Sequence, residues 1–209
     1  MVSTEYWNQA GTTKTFGNPL ELTWLAGVSR QASIVDYGCG YGRLAGELLA
    51  AGYTDIEGFD VSAPLIERAG QEHPAARFTV LEDPPRLPRE DASVDVLLLF
   101  AVLTCVPDSD AQRGIIAEIR RVLKPGGLFY LSDYCLQEDE RNRTRYRAQE
   151  ARFGLYGMFE TSDGAICRHH ERAWLRELLT GFEVARERDV PVVTMNNNPA
   201  IATQFLARR

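Results

Sequence analysis

The chain has 209 residues, 44% of them hydrophobic and 25% charged, with a net charge of −6. That length supports one sizeable core, and the acidic balance argues against the clustered basic face of a nucleic-acid binder. No apolar run approaches the roughly 20 residues that cross a bilayer, and the N-terminal MVSTEYWNQAG has neither the basic nor the apolar region of a secretory leader, so a cytoplasmic protein without membrane contact is expected.

In chain order, Ser33–Tyr37 reads as a strand, and the glycine turn Gly38–Gly42 leads into a helix over Arg43–Ala51. Asp55–Asp60 is a second strand. Ala63–Gln71 is a helix with Ser62 at its N-cap and Pro64 in its first turn. Arg77–Leu81 is a third strand. Val94–Phe100 is apolar apart from Asp95, the pattern of a strand covered on both faces in a parallel sheet. Asp110–Val122 places Ile115, Ile116, Ile119 and Val122 at helical spacing, and Lys124-Pro125-Gly126-Gly127 turns from it into the strand Leu128–Asp133. Strand–helix alternation of this kind predicts a doubly wound α/β sheet.

Beyond this the pattern changes. Gln137–Phe153 is densely charged and reads as a solvated surface helix; its Arg141, Arg143, Arg145 and Arg147 would point to an anionic ligand only if that face turned inward. A loop is expected over Gly154–Arg168, then a helix over Glu171–Thr180. Two strand-like runs, Phe182–Val193 and Ala200–Ala207, flank an Asn-rich turn and predict an antiparallel pair at the sheet edge. With no repeat and no low-complexity linker, the chain reads as one domain over 1–209: an N-terminal lid or helix (1–29), a cofactor core (30–134), a substrate-side insertion (135–170), and a helix with a strand pair (171–209). The four cysteines, Cys39, Cys105, Cys135 and Cys167, form no CxxC pair and read as free thiols, so no metal is expected.

Ligands of open α/β sheets bind beyond the carboxyl ends of the strands. There the first strand carries Asp36 and the turn Gly38-Cys39-Gly40-Tyr41-Gly42. Asp60 ends the second strand, 18 residues beyond Gly42, where a carboxylate can accept from ribose hydroxyls or cap the next helix. Glu82 and Asp83 follow the third strand as a second acidic position or as solvated loop charge. The spacing GxGxG departs from the GxGxxG of dinucleotide folds, and Asp36 would oppose a pyrophosphate but attract an ammonium or sulfonium cation.

These segments resemble the class I S-adenosylmethionine-dependent methyltransferases of the small-molecule type. The resemblance rests on IVDYGCGYG, GFDVS, LEDPPRLPREDASVDVLLLFAVLTCVPD and IRRVLKPGGLFYLSD, in that order over roughly residues 30–134. It implies a seven-stranded, mostly parallel sheet with the antiparallel C-terminal edge pair, and an inserted helical and loop lid after the fifth strand. It also implies S-adenosylmethionine as cofactor and methyl transfer to an O or N atom of a small molecule. Carried over, Asp36, Gly38, Cys39 and Gly40 would hold the methionine portion, Asp60 the ribose, Val61 the adenine face, and Asp83 with Pro84 the adenine edge. Phe100, Ala101 and Leu103 would line the pocket near the sulfonium. Cys105 stands where many relatives have histidine, which removes a base at that place.

Candidates for a base are His169 and His170, the acid Asp133 at the end of the fifth strand, and the phenol Tyr134; the alternative for the histidines is polar surface at a helix start. Tyr6, Trp7 and Lys14 are lid candidates, or else dock on the sheet flank, and Tyr156, Met195 and Asn196 are candidates to close the acceptor side. Two other functions are weighed. An NAD-dependent oxidoreductase is disfavoured by GxGxG and by the lack of a Tyr-x-x-x-Lys pair. A non-catalytic S-adenosylmethionine or S-adenosylhomocysteine binder would keep Asp36 and Asp60 but have a blocked acceptor pocket.

Overall fold

The computed structural model describes residues 4–10 and 13–209. Residues 11 and 12 of the aromatic segment Glu5–Phe16, and residues 1–3 of the expected lid, lie outside the described residues. The elements are α1 (Thr4–Ala10), β1 (Ser33–Tyr37), α2 (Arg43–Ala50), β2 (Asp55–Asp60), α3 (Ala63–Glu72), β3 (Arg77–Val80), β4 (Val94–Phe100) and α4 (Ser109–Val122). They continue with β5 (Leu123–Tyr134), α5 (Glu140–Phe153), β6 (Met158–Glu160), β7 (Ile166–Arg168), α6 (Arg172–Leu178), β8 (Glu183–Val193) and β9 (Pro199–Arg208).

Seven strands form one sheet in the order β3-β2-β1-β4-β5-β9-β8. The strands from β3 to β5 pair in parallel, whereas β9 runs antiparallel to both β5 and β8. Side chains alternate across this sheet with the two-residue period of a strand. Val35, Phe59, Leu97, Leu99, Phe129 and Phe205 meet the buried isoleucines of α4 and the leucines of α6. Ile34, Ile56, Val96, Leu98, Tyr130 and Leu206 meet Leu44, Ala45 and Leu48 of α2 on the opposite face. Covered on both sides from Val96 to Phe100, the central strand β4 has no solvated face there, which explains that apolar run; Asp95 near its start is half-buried and pairs with Lys124 at 2.7 Å. The order reverses between β1 and β4, so the connections leaving these two strands diverge and open a crevice beyond Tyr37 and Phe100.

Three local expectations need correction. The Lys-Pro-Gly-Gly segment does not stand outside the sheet, and β5 is extended from Leu123. The C-terminus holds it there: Gly126 N donates to Arg209 O at 2.9 Å, and Arg209 N donates to Gly127 O at 3.0 Å. The stretch expected as loop over 154–168 contains a hairpin, β6 with β7, which forms a separate two-stranded sheet. It is anchored by Gln149 of α5, whose side chain accepts from Glu160 N at 2.8 Å and buttresses Phe159 and Cys167 in a small core with Tyr146. Ser62 stands at the N-cap of α3, but its hydroxyl makes no capping bond. All four cysteines are free thiols, and among the described residues no helix is long and apolar enough to cross a membrane.

Candidate functional site

The glycine turn works because three of its residues sit at positive φ: Gly38 at 74°, Gly40 at 55° and Gly42 at 82°. A Cβ on Gly38 would lie 2.4 Å from Val102 Cγ2, and one on Gly40 would lie 2.9 Å from the Phe16 ring. Gly38 N and Cys39 N both donate to Phe59 O, at 2.7 and 3.0 Å. Asp60 then splints the turn to the end of β2. Its Oδ2 accepts from Gly40 N and its Oδ1 from Ser62 N, each at 2.9 Å. Each carboxylate oxygen retains acceptor capacity beyond that one bond, and burial raises the Asp60 pKa above the usual range.

Asp36, at the end of β1, is 1% exposed, and its Oδ2 has no hydrogen-bond partner. Burial pushes its pKa from an ordinary 3.8 to about 7, against the opposing pull of Arg43. A sealed carboxylate without a partner is costly unless a ligand supplies one. An orphaned acid, a carboxylate with spare acceptor capacity and a turn whose glycines have no room for a Cβ together fit S-adenosylmethionine, which carries cationic and ribose groups.

These groups border a cavity of about 490 Å3, within the usual range for small-molecule sites. Asp36, Gly38, Cys39, Gly40, Asp60, Val61, Pro84, Phe100 and Ala101 all line it, as expected. Two expected residues do not. Asp83 faces solvent, with its carbonyl accepting from Arg86 N at 2.9 Å, and it is Pro84 and Pro85 that border the cavity. Leu103 is fully buried in the core under α4, because the chain reverses at Ala101 (φ 55°) into a short 3-10 turn over Leu103–Cys105. Cys105 takes its place in the wall.

A second cavity, of about 110 Å3, adjoins the first. Trp7, Phe16, Arg43, Phe100, Ala101 and Cys105 border both. Of the candidate bases, His169 and Tyr134 line this second cavity and His170 does not. Residues 169 and 170 lie on an extended segment rather than at a helix start, so their side chains diverge. His170 bridges to Cys135 and lies buried with Nε2 3.7 Å from Asp133 Oδ1. His169 is held between rings, stacked on Tyr134 at 5.3 Å and edge-on to Phe159 at 5.0 Å. Its Nδ1 lies 2.5 Å from the Tyr146 hydroxyl, whose oxygen also accepts from Gln137 N at 3.2 Å. Burial, reinforced by Arg145, holds the imidazole pKa well below its ordinary value, so the ring is neutral at pH 7. Tyr134 donates its hydroxyl to Asn18 Oδ1 at 2.9 Å, and burial raises its pKa.

The N-terminal segment closes this side. Trp7 and Phe16 face the cavities, whereas Tyr6 and Lys14 act as ties. Tyr6 donates to Asp163 Oδ2 at 3.0 Å, Lys14 pairs with the same oxygen at 2.6 Å, and Lys14 also donates to Asn196. One lysine thereby joins three remote segments: the N-terminus, the β6–β7 turn and the β8–β9 turn. Met195 and Asn196 line the second cavity, while Tyr156 packs behind it, edge-on to Tyr146 at 5.3 Å. Arg43 is a site residue not anticipated from sequence. A signal existed, since a cation in the first turn of a helix opposes the helix dipole. Here Glu47 at 2.5 Å and the Asn18 carbonyl hold it in place.

A family model described as a methyltransferase domain matches residues 35–131. Human methyltransferase-like protein 27 is 29% identical over 153 residues, covering 72% of this chain and 59% of that protein. The 27-O-demethylrifamycin SV methyltransferase of Amycolatopsis mediterranei is 33% identical over 108 residues, 49% of this chain and 39% of its own length. The chain therefore spans less than two thirds of either curated relative. A solved structure of a S-adenosylmethionine-dependent methyltransferase from Methanosarcina mazei superposes with a TM-score of 0.85 at 27% identity, covering 92% of this chain and 99% of that one.

Proposed function

This chain belongs to the class I S-adenosylmethionine-dependent methyltransferases, and on that premise we propose that it methylates an O or N atom of a small-molecule acceptor. The observation that supports this most directly is the wall shared by the two cavities, Phe100, Ala101 and Cys105 with Trp7 and Phe16 above. Bound S-adenosylmethionine supplies an electrophilic methyl group on a sulfonium whose departure leaves a neutral thioether. The chain's own residues then have alignment and exclusion of water as their main tasks. Asp36 and the turn Gly38–Gly40 would hold the methionine end and Asp60 the ribose, with Val61 and Pro84 against the adenine. In this reading the 209 residues act as one methyltransferase domain, and the Lys14–Asp163 tie joins the N-terminal segment to the β6–β7 turn on the acceptor side.

An oxygen or nitrogen nucleophile that must lose a proton needs a base. His169 suits that role: it is neutral, borders the second cavity, and has no protein partner on Nε2 among the described residues. In the tautomer that carries its proton on Nδ1, donated to the Tyr146 oxygen, Nε2 is the nitrogen that accepts the acceptor's proton. Tyr134 would stack the ring in place. That the Amycolatopsis relative is named for an O-demethylated small molecule supports an oxygen acceptor. An open second cavity also favours an enzyme over a pure ligand binder.

Calorimetry with S-adenosylmethionine, S-adenosylhomocysteine and NAD, followed by S-adenosylhomocysteine release in the presence of small phenols, acids and amines, tests the reading. Binding of the two sulfur ligands and acceptor-dependent release are expected; binding of NAD alone would refute it.

A further inference from the structure

The two cavities carry opposite charge. Asp36, Asp60, Asp108 and Asp110 border the first, with Arg43, which pairs with Glu47, shared between the two. The second is bordered by Arg43, Arg141 and Arg145 and, among the described residues, by no Asp or Glu. This runs against the composition, in which 29 acids outnumber 23 lysines and arginines. Arg141 and Arg145 sit four residues apart, on one face of α5, where two like charges repel each other.

Arg145 is the singular member. Its guanidinium carbon lies 3.4 Å from the centroid of the Phe159 ring, and its Nε is sealed from solvent with no hydrogen-bond partner. No carboxylate of the described residues lies within ion-pair distance of it, although Arg152, on the same helix, pairs with Glu160 at 2.5 Å. Burial and Arg141 both press its pKa downward. Arg145 is hydrogen-bonded to the neutral Tyr146 hydroxyl but has no carboxylate partner; a half-buried guanidinium braced on an aromatic face without a counter-charge presents its remaining N–H donors to a ligand. Planar, bidentate recognition of an oxyanion is what that group does best.

We propose that the methyl acceptor carries an oxyanion, a carboxylate or a phosphate ester, which Arg145 binds with Arg141 alongside. The proposal rests on the methyltransferase reading and extends it to the substrate class. The polarity gives each ligand its own end: the cationic cofactor faces aspartates, and the anionic acceptor faces arginines. It also disfavours a cationic amine in the second cavity, which would meet three guanidinium groups and no acid.

The test uses the full chain saturated with S-adenosylhomocysteine. Benzoate, 4-hydroxybenzoate, salicylate and succinate are each titrated against the matching neutral amide, and phenyl phosphate against phenol. At least one anion should bind ten-fold or more tightly than its neutral partner, a carboxylate or a phosphate according to which binds best. In Arg145→Met that preference should vanish while S-adenosylhomocysteine affinity stays within two-fold; Arg145→Lys should retain part of it. The proposal is overturned if no anion outbinds its neutral partner, or if Arg145→Met keeps the preference. Failure of the unaltered protein to bind S-adenosylhomocysteine would instead overturn the methyltransferase reading.

Discussion

Asp36 should make the cofactor-free protein less stable as pH rises, and Asp36→Asn should reverse this. The carboxyl is 1% exposed with an orphaned Oδ2, and burial lifts its pKa from 3.8 to about 7. Below about pH 4 the group is protonated in both folded and unfolded chains and has no effect. Between these values the unfolded chain ionises while the folded one keeps its proton, so unfolding releases a proton and stability falls as pH increases. Above pH 7 the folded carboxyl ionises too, and the cost levels off. A difference of about 3 pKa units at roughly 1.4 kcal/mol each makes it about 4 kcal/mol. Asparagine cannot ionise but leaves an amide to be satisfied, at about 1 kcal/mol. The variant should therefore match the parent in stability at pH 4.5 and exceed it by about 3 kcal/mol at pH 8. Urea denaturation of both proteins at pH 4.5, 6 and 8 measures this, and contributions of titrating groups not coupled to Asp36 cancel in the difference. A stability difference that stays flat, or moves toward the unaltered protein as pH rises, would refute the reasoning. The same variant should bind S-adenosylmethionine at least ten-fold more weakly, because the cation loses its counter-charge.

Three further perturbations probe the rest of the site. Asp60→Ala removes the splint on Gly40 and the proposed ribose acceptor, and calorimetry should record a loss of about 1–3 kcal/mol in S-adenosylhomocysteine affinity; unchanged affinity contradicts the assignment. Gly38→Ala forces a side chain into a left-handed backbone and into Val102, so thermal or urea unfolding should show a loss of about 2–4 kcal/mol. A variant as stable as the parent would show that the turn is not confined. His169→Gln should slow methyl transfer to an acceptor found in the screen by about 10²–10⁴-fold with cofactor affinity intact, and an unaltered rate would remove the histidine as base.

The cofactor half of the site was legible because its determinants are local. Asp36, the glycine turn and Asp60 lie at the ends of adjacent parallel strands, and the alternation of strands and helices already places such ends together. Asp83 and Leu103 fell outside the cavity because loop conformation decides them. The chain turns Asp83 to solvent after β3, and the reversal at Ala101 rotates Leu103 into the core. The acceptor half was legible only as a collection of candidates. His169 and His170 are neighbours with the same chemistry, and only the extended path out of β7 sends one to the cavity and the other to Asp133.

From residue order alone came the doubly wound sheet, the carboxyl ends at which a ligand binds, and the acid–glycine–acid set suited to a cationic nucleoside. Those features follow from backbone sterics and from periodicity within a few residues. Tertiary structure alone decided which face of α5 turns inward, because charges surround that helix and no apolar stripe sets its rotation. The second cavity draws on Trp7, Tyr134, Arg145, His169 and Met195, residues from five remote segments. Their meeting depends on how the segments pack against one another, and one residue's rotation of a helix, about 100°, moves a guanidinium from cavity to solvent.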